Sequence, residues 1–136
     1  MKTFVEEQKY PNGAAVITAL NVLIASGFTI QSLVNPKSFL GSEAVVTDAA
    51  VILAMYAVAR VVPLALVTLA VIYKRSRPGL FVLGLVAGFM QLLDAPIGVY
   101  QHDVRKTAAP LVLAVLQFAV LYKMRKNPKL RNSTSR

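Results

Sequence analysis

The sequence contains no cysteine and a single histidine, His102. The first absence excludes disulfides, thiol nucleophiles and thiolate metal sites, and leaves the redox compartment open. The second excludes a histidine-rich metal centre within one chain. No metal and no cofactor therefore follows from the residues. Acids are scarce too, six Asp and Glu against fifteen Lys and Arg, for a net charge of +9. Such an excess can mark a nucleic-acid binder, but its distribution argues otherwise. The bases gather between and after apolar runs, at Lys74, Arg75 and Arg77 and again from Lys123 onward, as in the cytoplasmic flanks of membrane spans. No nucleic-acid partner is expected. The first thirteen residues, MKTFVEEQKYPNG, lack an apolar core, and the run that follows is too long for a signal-peptide h-region, so no cleavable signal is expected.

What the chain does have is hydrophobic length. Apolar residues make up 56% of its 136 positions and the mean hydropathy is +0.58, too apolar for a soluble domain of this size. Four spans can be drawn, at about 14–34, 44–73, 79–100 and 104–122. Each approaches the roughly 20 helical residues that cross about 30 Å of hydrocarbon. Helices are required, because an isolated strand would leave its amides unpaired in lipid. Turn signals punctuate the runs: Asn35-Pro36, then Gly41-Ser42 as an N-cap for the second span, then Ser76-Arg77-Pro78-Gly79. The expected fold is all-α, a transmembrane four-helix bundle over 14–123, with a cytoplasmic segment at 1–13 and a basic cytoplasmic tail at 124–136.

With the N-terminus inside, eleven Lys and Arg fall on the inner flanks and three, Lys37, Arg105 and Lys106, in the outer loops. That bias predicts an N-in, C-in orientation. The implied location is an integral, multi-pass position in the bilayer: the endoplasmic reticulum membrane in a eukaryote, the inner or plasma membrane in a bacterium. The Asn132-Ser133-Thr134 glycosylation acceptor would then face the cytoplasm and stay unused. Gly84 and Gly88, four residues apart in the third span, suit close helix approach, within the bundle or in a homo-oligomer.

Two charges interrupt the apolar runs, Arg60 in the second span and Asp94 in the third. Charges at such depth are costly and commonly mark a pair, a pathway or a site. At 1.5 Å per residue, Arg60 lies about 21 Å from Lys74 and Asp94 about 24 Å from Pro78. Tyr56 shares a face with Arg60, Gln91 shares one with Asp94, and Gln31 of the first span falls at similar depth. Consecutive antiparallel spans are expected to be neighbours, so Arg60 is expected to reach Asp94. In the functional reading, Asp94 is a general acid or base and Arg60 holds an anionic or enolic oxygen. Tyr56, Gln91 and Gln31 orient the substrate, with Tyr100, His102 and Asp103 at the outer rim. The alternative is an ion pair that fixes helix register. Asn21 and Gln117, nearer the inner face, read as interhelical hydrogen bonding.

Asn35-Pro36, Tyr56-x-x-x-Arg60 and Leu92-Leu93-Asp94 followed by Tyr100 and Asp103 resemble small four-helix membrane proteins of the DoxX-like kind. The resemblance covers about residues 14–123 and implies a four-helix bundle in a membrane, and little more. Small multidrug exporters fit less well, because the first span carries no acid. Small fluoride channels also fit less well, because it is neither glycine-rich nor arginine-bearing. The expected function is binding of a lipophilic small molecule in an intramembrane polar pocket, with proton-transfer chemistry such as isomerisation or cyclisation. A proton-coupled transporter or channel and a non-catalytic subunit of a membrane complex stay open as alternatives.

Overall fold

The computed structural model describes residues 12–40 and 43–126. The segment before residue 12, the Gly41-Ser42 pair and the tail from 127, with its glycosylation acceptor, lie outside the described residues. Five helices follow in order: α1 (Asn12–Val34), a short α2 (Pro36–Leu40), α3 (Asp48–Tyr73), α4 (Arg77–Tyr100) and α5 (Val104–Lys126). No strand occurs among the described residues. The four long helices are each long and apolar enough to cross a membrane. The protein is an all-α, multi-pass membrane protein.

The boundaries follow local chemistry. Helix α3 starts at Asp48 because the Thr47 side chain accepts a hydrogen bond from the Ala50 N–H. Its cap is therefore Thr47, five residues beyond the expected Ser42. Helix α5 runs four residues past its expected end to Lys126, and Met124 in the added turn is buried. The two tight turns between long helices share one construction. At the end of α3, Ser76 N–H bonds to Val71 O and Arg75 N–H to Ile72 O. At the end of α4, Asp103 N–H bonds to Gly98 O and His102 N–H to Val99 O. Both are Schellman motifs whose left-handed residue is not glycine: Arg75 has φ 51° and His102 φ 54°. The next residue in each caps the following helix. Ser76 Oγ accepts from Gly79 N–H, and Asp103 Oδ1 accepts from the Arg105 and Lys106 N–H groups.

Helices α4 and α5 form the most extensive contact, and α1 lies against both and against α3. The α4–α5 approach is close because glycines line it. A Cβ on Gly98 would collide with the Lys106 backbone carbonyl. One on Gly84 would sit 2.7 Å from Gln117 Nε2. Gly84 and Gly88 thus face α5 within the chain, where Gln117, Leu121 and Phe118 occupy the space. At the end bearing Lys74 and Lys126, Ala14, Ala15, Leu80, Leu121 and Met124 form an apolar core, and the Arg77 guanidinium donates to Met124 O at 2.5 Å. At the opposite end, Lys106 Nζ reaches Phe39 O at 2.9 Å and Gln101 Oε1 at 2.7 Å, tying α2 to the start of α5.

Helix α3 packs on α1 and meets α4 only sparsely. The second and third spans, which carry Arg60 and Asp94, are therefore not close neighbours, although the first and second and the third and fourth are. Only 6% of the apolar window of α3 is buried, against 22–33% for the other three spans.

Candidate functional site

The buried polar groups of the bundle converge on one network. Gln117 Nε2 of α5 donates to Thr18 Oγ1 of α1 at 2.8 Å, and Gln117 Oε1 accepts from Asn21 Nδ2 at 3.3 Å. Asn21 Oδ1 in turn accepts from Gln91 Nε2 of α4 at 2.5 Å. All four residues are buried. Thr18 and Asn21 are three apart on α1 and share a face, and the missing side chain of Gly84 makes room for the Gln117 amide. Among the described residues no buried side-chain polar atom lacks a partner. Thr68 and Ser26, also buried, bond back to their own helices at Leu64 O and Val22 O. Next to the network, Asn21, Val22, Val61, Leu64, Met90 and Gln91 help line a cavity of about 10 Å³, space for a single water.

Gln91, expected beside Asp94 as a substrate-orienting group, instead belongs to this inner network and bonds to Asn21. Asn21 and Gln117 do bond between helices, and Thr18 is a member that sequence reading missed. Its signal is the Thr18-x-x-Asn21 spacing, weak because threonines in apolar helices commonly bond their own backbone.

Arg60 and Asp94 are both on the outside of the chain. No hydrogen bond or ion pair links them, and neither has such a partner among the described residues. Arg60 is the thirteenth residue of the 26 in α3, midway along the span. It makes a cation–π contact with Tyr56, one turn away, whose ring centroid lies 6.0 Å from the guanidinium carbon. The expectation that the two charges meet within the chain is corrected. The reason is packing order: α3 seats on α1 and α4 on α5, so the two charged helices are held apart. A lone charge at mid-bilayer costs about 2.5–3.5 kcal/mol on insertion scales, so both residues present an unmet electrostatic demand to whatever surrounds the chain.

The remaining expected site residues are scattered. Gln31 is exposed on α1, its side chain without a hydrogen bond. Tyr100 is 87% exposed at the end of α4. His102 is the left-handed residue of the α4–α5 turn and Asp103 the cap of α5. Asp103 also lies 3.9 Å from Lys106. An open depression of about 390 Å³ runs beside this turn, lined by Gly98, Val99, His102, Thr107 and Leu111 among others. The turn is thus a structural device at the rim, separate from Arg60. Among the described residues no three His, Asp or Glu side chains come together in a metal-binding arrangement.

Comparison with known proteins finds no matching family model, no matching curated protein and no matching solved structure. The class that fold and composition define is that of a small all-α membrane protein with four spans.

Proposed function

We propose that this protein binds a lipophilic small molecule with a polar head, held at the lipid-facing charges Arg60 and Asp94. The observation that carries this reading is the pair of unmet opposite charges, within about one helical turn of each other in depth, on the outside of a bundle whose interior is full. The internal polar groups satisfy one another, so a ligand has little to gain there. An amphiphile diffusing in the bilayer reaches Arg60 and Asp94 directly. Arg60 offers a fixed positive fork for an anionic or enolic oxygen, steadied by the Tyr56 ring. Asp94 offers a carboxyl able to give or take a proton. Together they suit proton-transfer chemistry, isomerisation or cyclisation, on a lipophilic substrate. The DoxX-like resemblance agrees with this reading only by analogy, through small bundles that act on lipophilic molecules. The basic end, with Lys74, Lys123 and Lys126, would face the cytoplasm. A second reading, a supporting subunit of a membrane complex, draws on the same outward charges, which a partner's span could meet.

The test is mass spectrometry of lipophilic compounds that co-purify with the full chain and with the Arg60→Met and Asp94→Leu variants, each checked for thermal stability. The reading expects a defined compound on the wild type that folded variants lose. A wild type carrying only bulk lipid overturns it.

A further inference from the structure

Arg60 and Asp94 are unpaired within the chain, yet they satisfy a condition for pairing between chains. Counted from the ends of the same turn at 74–76, Arg60 lies 14 residues and Asp94 18 residues along their helices, so their depths differ by about 6 Å, roughly one helical turn. A second copy inserted with the same topology places its own Asp94 within about one helical turn of that depth. A rotation about the membrane normal can then bring Arg60 of one copy beside Asp94 of the next, and the long arginine side chain spans the remaining offset. We infer that the intramembrane polar site is shared between copies of this chain, Arg60 with Tyr56 coming from one protomer and Asp94 from its neighbour.

Three observations converge on a second copy as the occupant. The charges are opposite, so the surface complements itself. Helix α3, which carries Arg60, is the least covered span, and on the face of the charge it exposes Leu53, Tyr56 and Val67. Around Asp94, α4 exposes Leu93 and Ile97, an apolar rim of the same kind. The Gly84–Gly88 face, of the kind that commonly holds membrane helices together, is already filled from α5. Association therefore has to use another surface, and the charged pair supplies its polar glue. Because Arg60 and Asp94 stand on different helices, the contact is either head-to-tail, closing as a ring, or a two-fold dimer in which the pair occurs twice. The inference rests on reading these charges as a site, and it adds that one copy holds only half of it.

The test exploits charge exchange. In Arg60→Asp every copy carries two acids, and in Asp94→Arg every copy carries two bases, so each variant alone is repelled at the contact. In a one-to-one mixture, the acid introduced at position 60 of the first variant can face the base introduced at position 94 of the second. The native Arg60 of the second can likewise face the native Asp94 of the first. Subunits are counted by stepwise photobleaching of fluorescently tagged full-length protein in native-lipid discs. The inference expects oligomers for the wild type, monomers for each variant, and oligomers again for the co-expressed pair. A monomeric wild type, variants that stay oligomeric, or a mixture that stays monomeric overturns it. Should the charge variants fail to fold, the native absence of cysteine gives an independent measurement. Copies carrying Ala59→Cys, with Arg60 and Asp94 intact, are oxidised together with differently tagged copies carrying Leu93→Cys. Cross-linking between the two tags supports the shared site, and its absence overturns it. Co-purifying compounds are read from the same samples. Oligomers without a bound compound sink the ligand reading alone, and a bound compound on monomers sinks only the sharing.

Discussion

Gln91 Nε2 donates to Asn21 Oδ1, joining two residues 70 positions apart in the chain and three residues short of Asp94. That bond decides which polar groups are structural. It draws Gln91 inward to Thr18 and Gln117, and leaves Asp94, on the next turn, to the surroundings. Removing Gln117 should expose the value of the network. Gln117→Leu strands the Asn21 amide and removes the donor to Thr18, so we expect a loss of about 1–2 kcal/mol, in the range measured for buried hydrogen bonds in membrane bundles and soluble cores. Reversible unfolding in mixed micelles reads this, and an unchanged midpoint would show the network to be energetically idle.

The glycines should rank by what a methyl group would meet. Gly98→Ala drives a Cβ into the Lys106 backbone, which cannot rotate away, and should cost about 1–3 kcal/mol. Gly84→Ala presses on the ends of the Gln117 and Leu121 side chains and should cost less. Gly27→Ala meets nothing within 4 Å on a helix and should stabilise by up to about 1 kcal/mol. A thermal-melt series in detergent that gave a different order would refute the close α4–α5 approach.

His102 holds a left-handed backbone that glycine adopts without strain. His102→Gly should leave stability unchanged or raise it by about 0.5–1 kcal/mol. A marked loss of stability or of bound compound on this change would mean that the imidazole does more than terminate a helix.

Lys106 ties the short α2 to α5 through Phe39 O, and its ammonium lies 5.3 Å from the Phe39 ring centroid. Lys106→Met should release α2 while costing the bundle no more than about 1 kcal/mol, since the group is partly solvated. Hydrogen exchange should then quicken at the backbone amides of 38–40 and stay unchanged in α4.

The four spans were legible because hydropathy and helix length alone define them, and the bounds erred only where a cap or a buried last turn lay beyond the apolar run. Thr47 and Met124 mark those two places. The depths of Arg60 and Asp94 were legible for the same reason, as simple counting along a helix. Their partners were not. These helices are apolar on almost every side, so the sequence carries little sign of which face meets which neighbour. The assumption that the second and third spans touch failed because α3 seats on α1 and α4 on α5. Gln91 shows the consequence: its spacing to Asp94 was read correctly, and its loyalty to Asn21 was not.

The central position of α1 also bears on biogenesis. It leaves the ribosome before the other four helices and then serves as the surface on which each of them docks. The α4–α5 pair is joined by a three-residue turn and locked by its own glycines, which suits insertion as a preassembled hairpin. Helix α3 has no such companion and depends chiefly on α1 for its seat. A nascent chain arrested after residue 76 should therefore already hold its first two spans against each other, and the last hairpin closes the bundle.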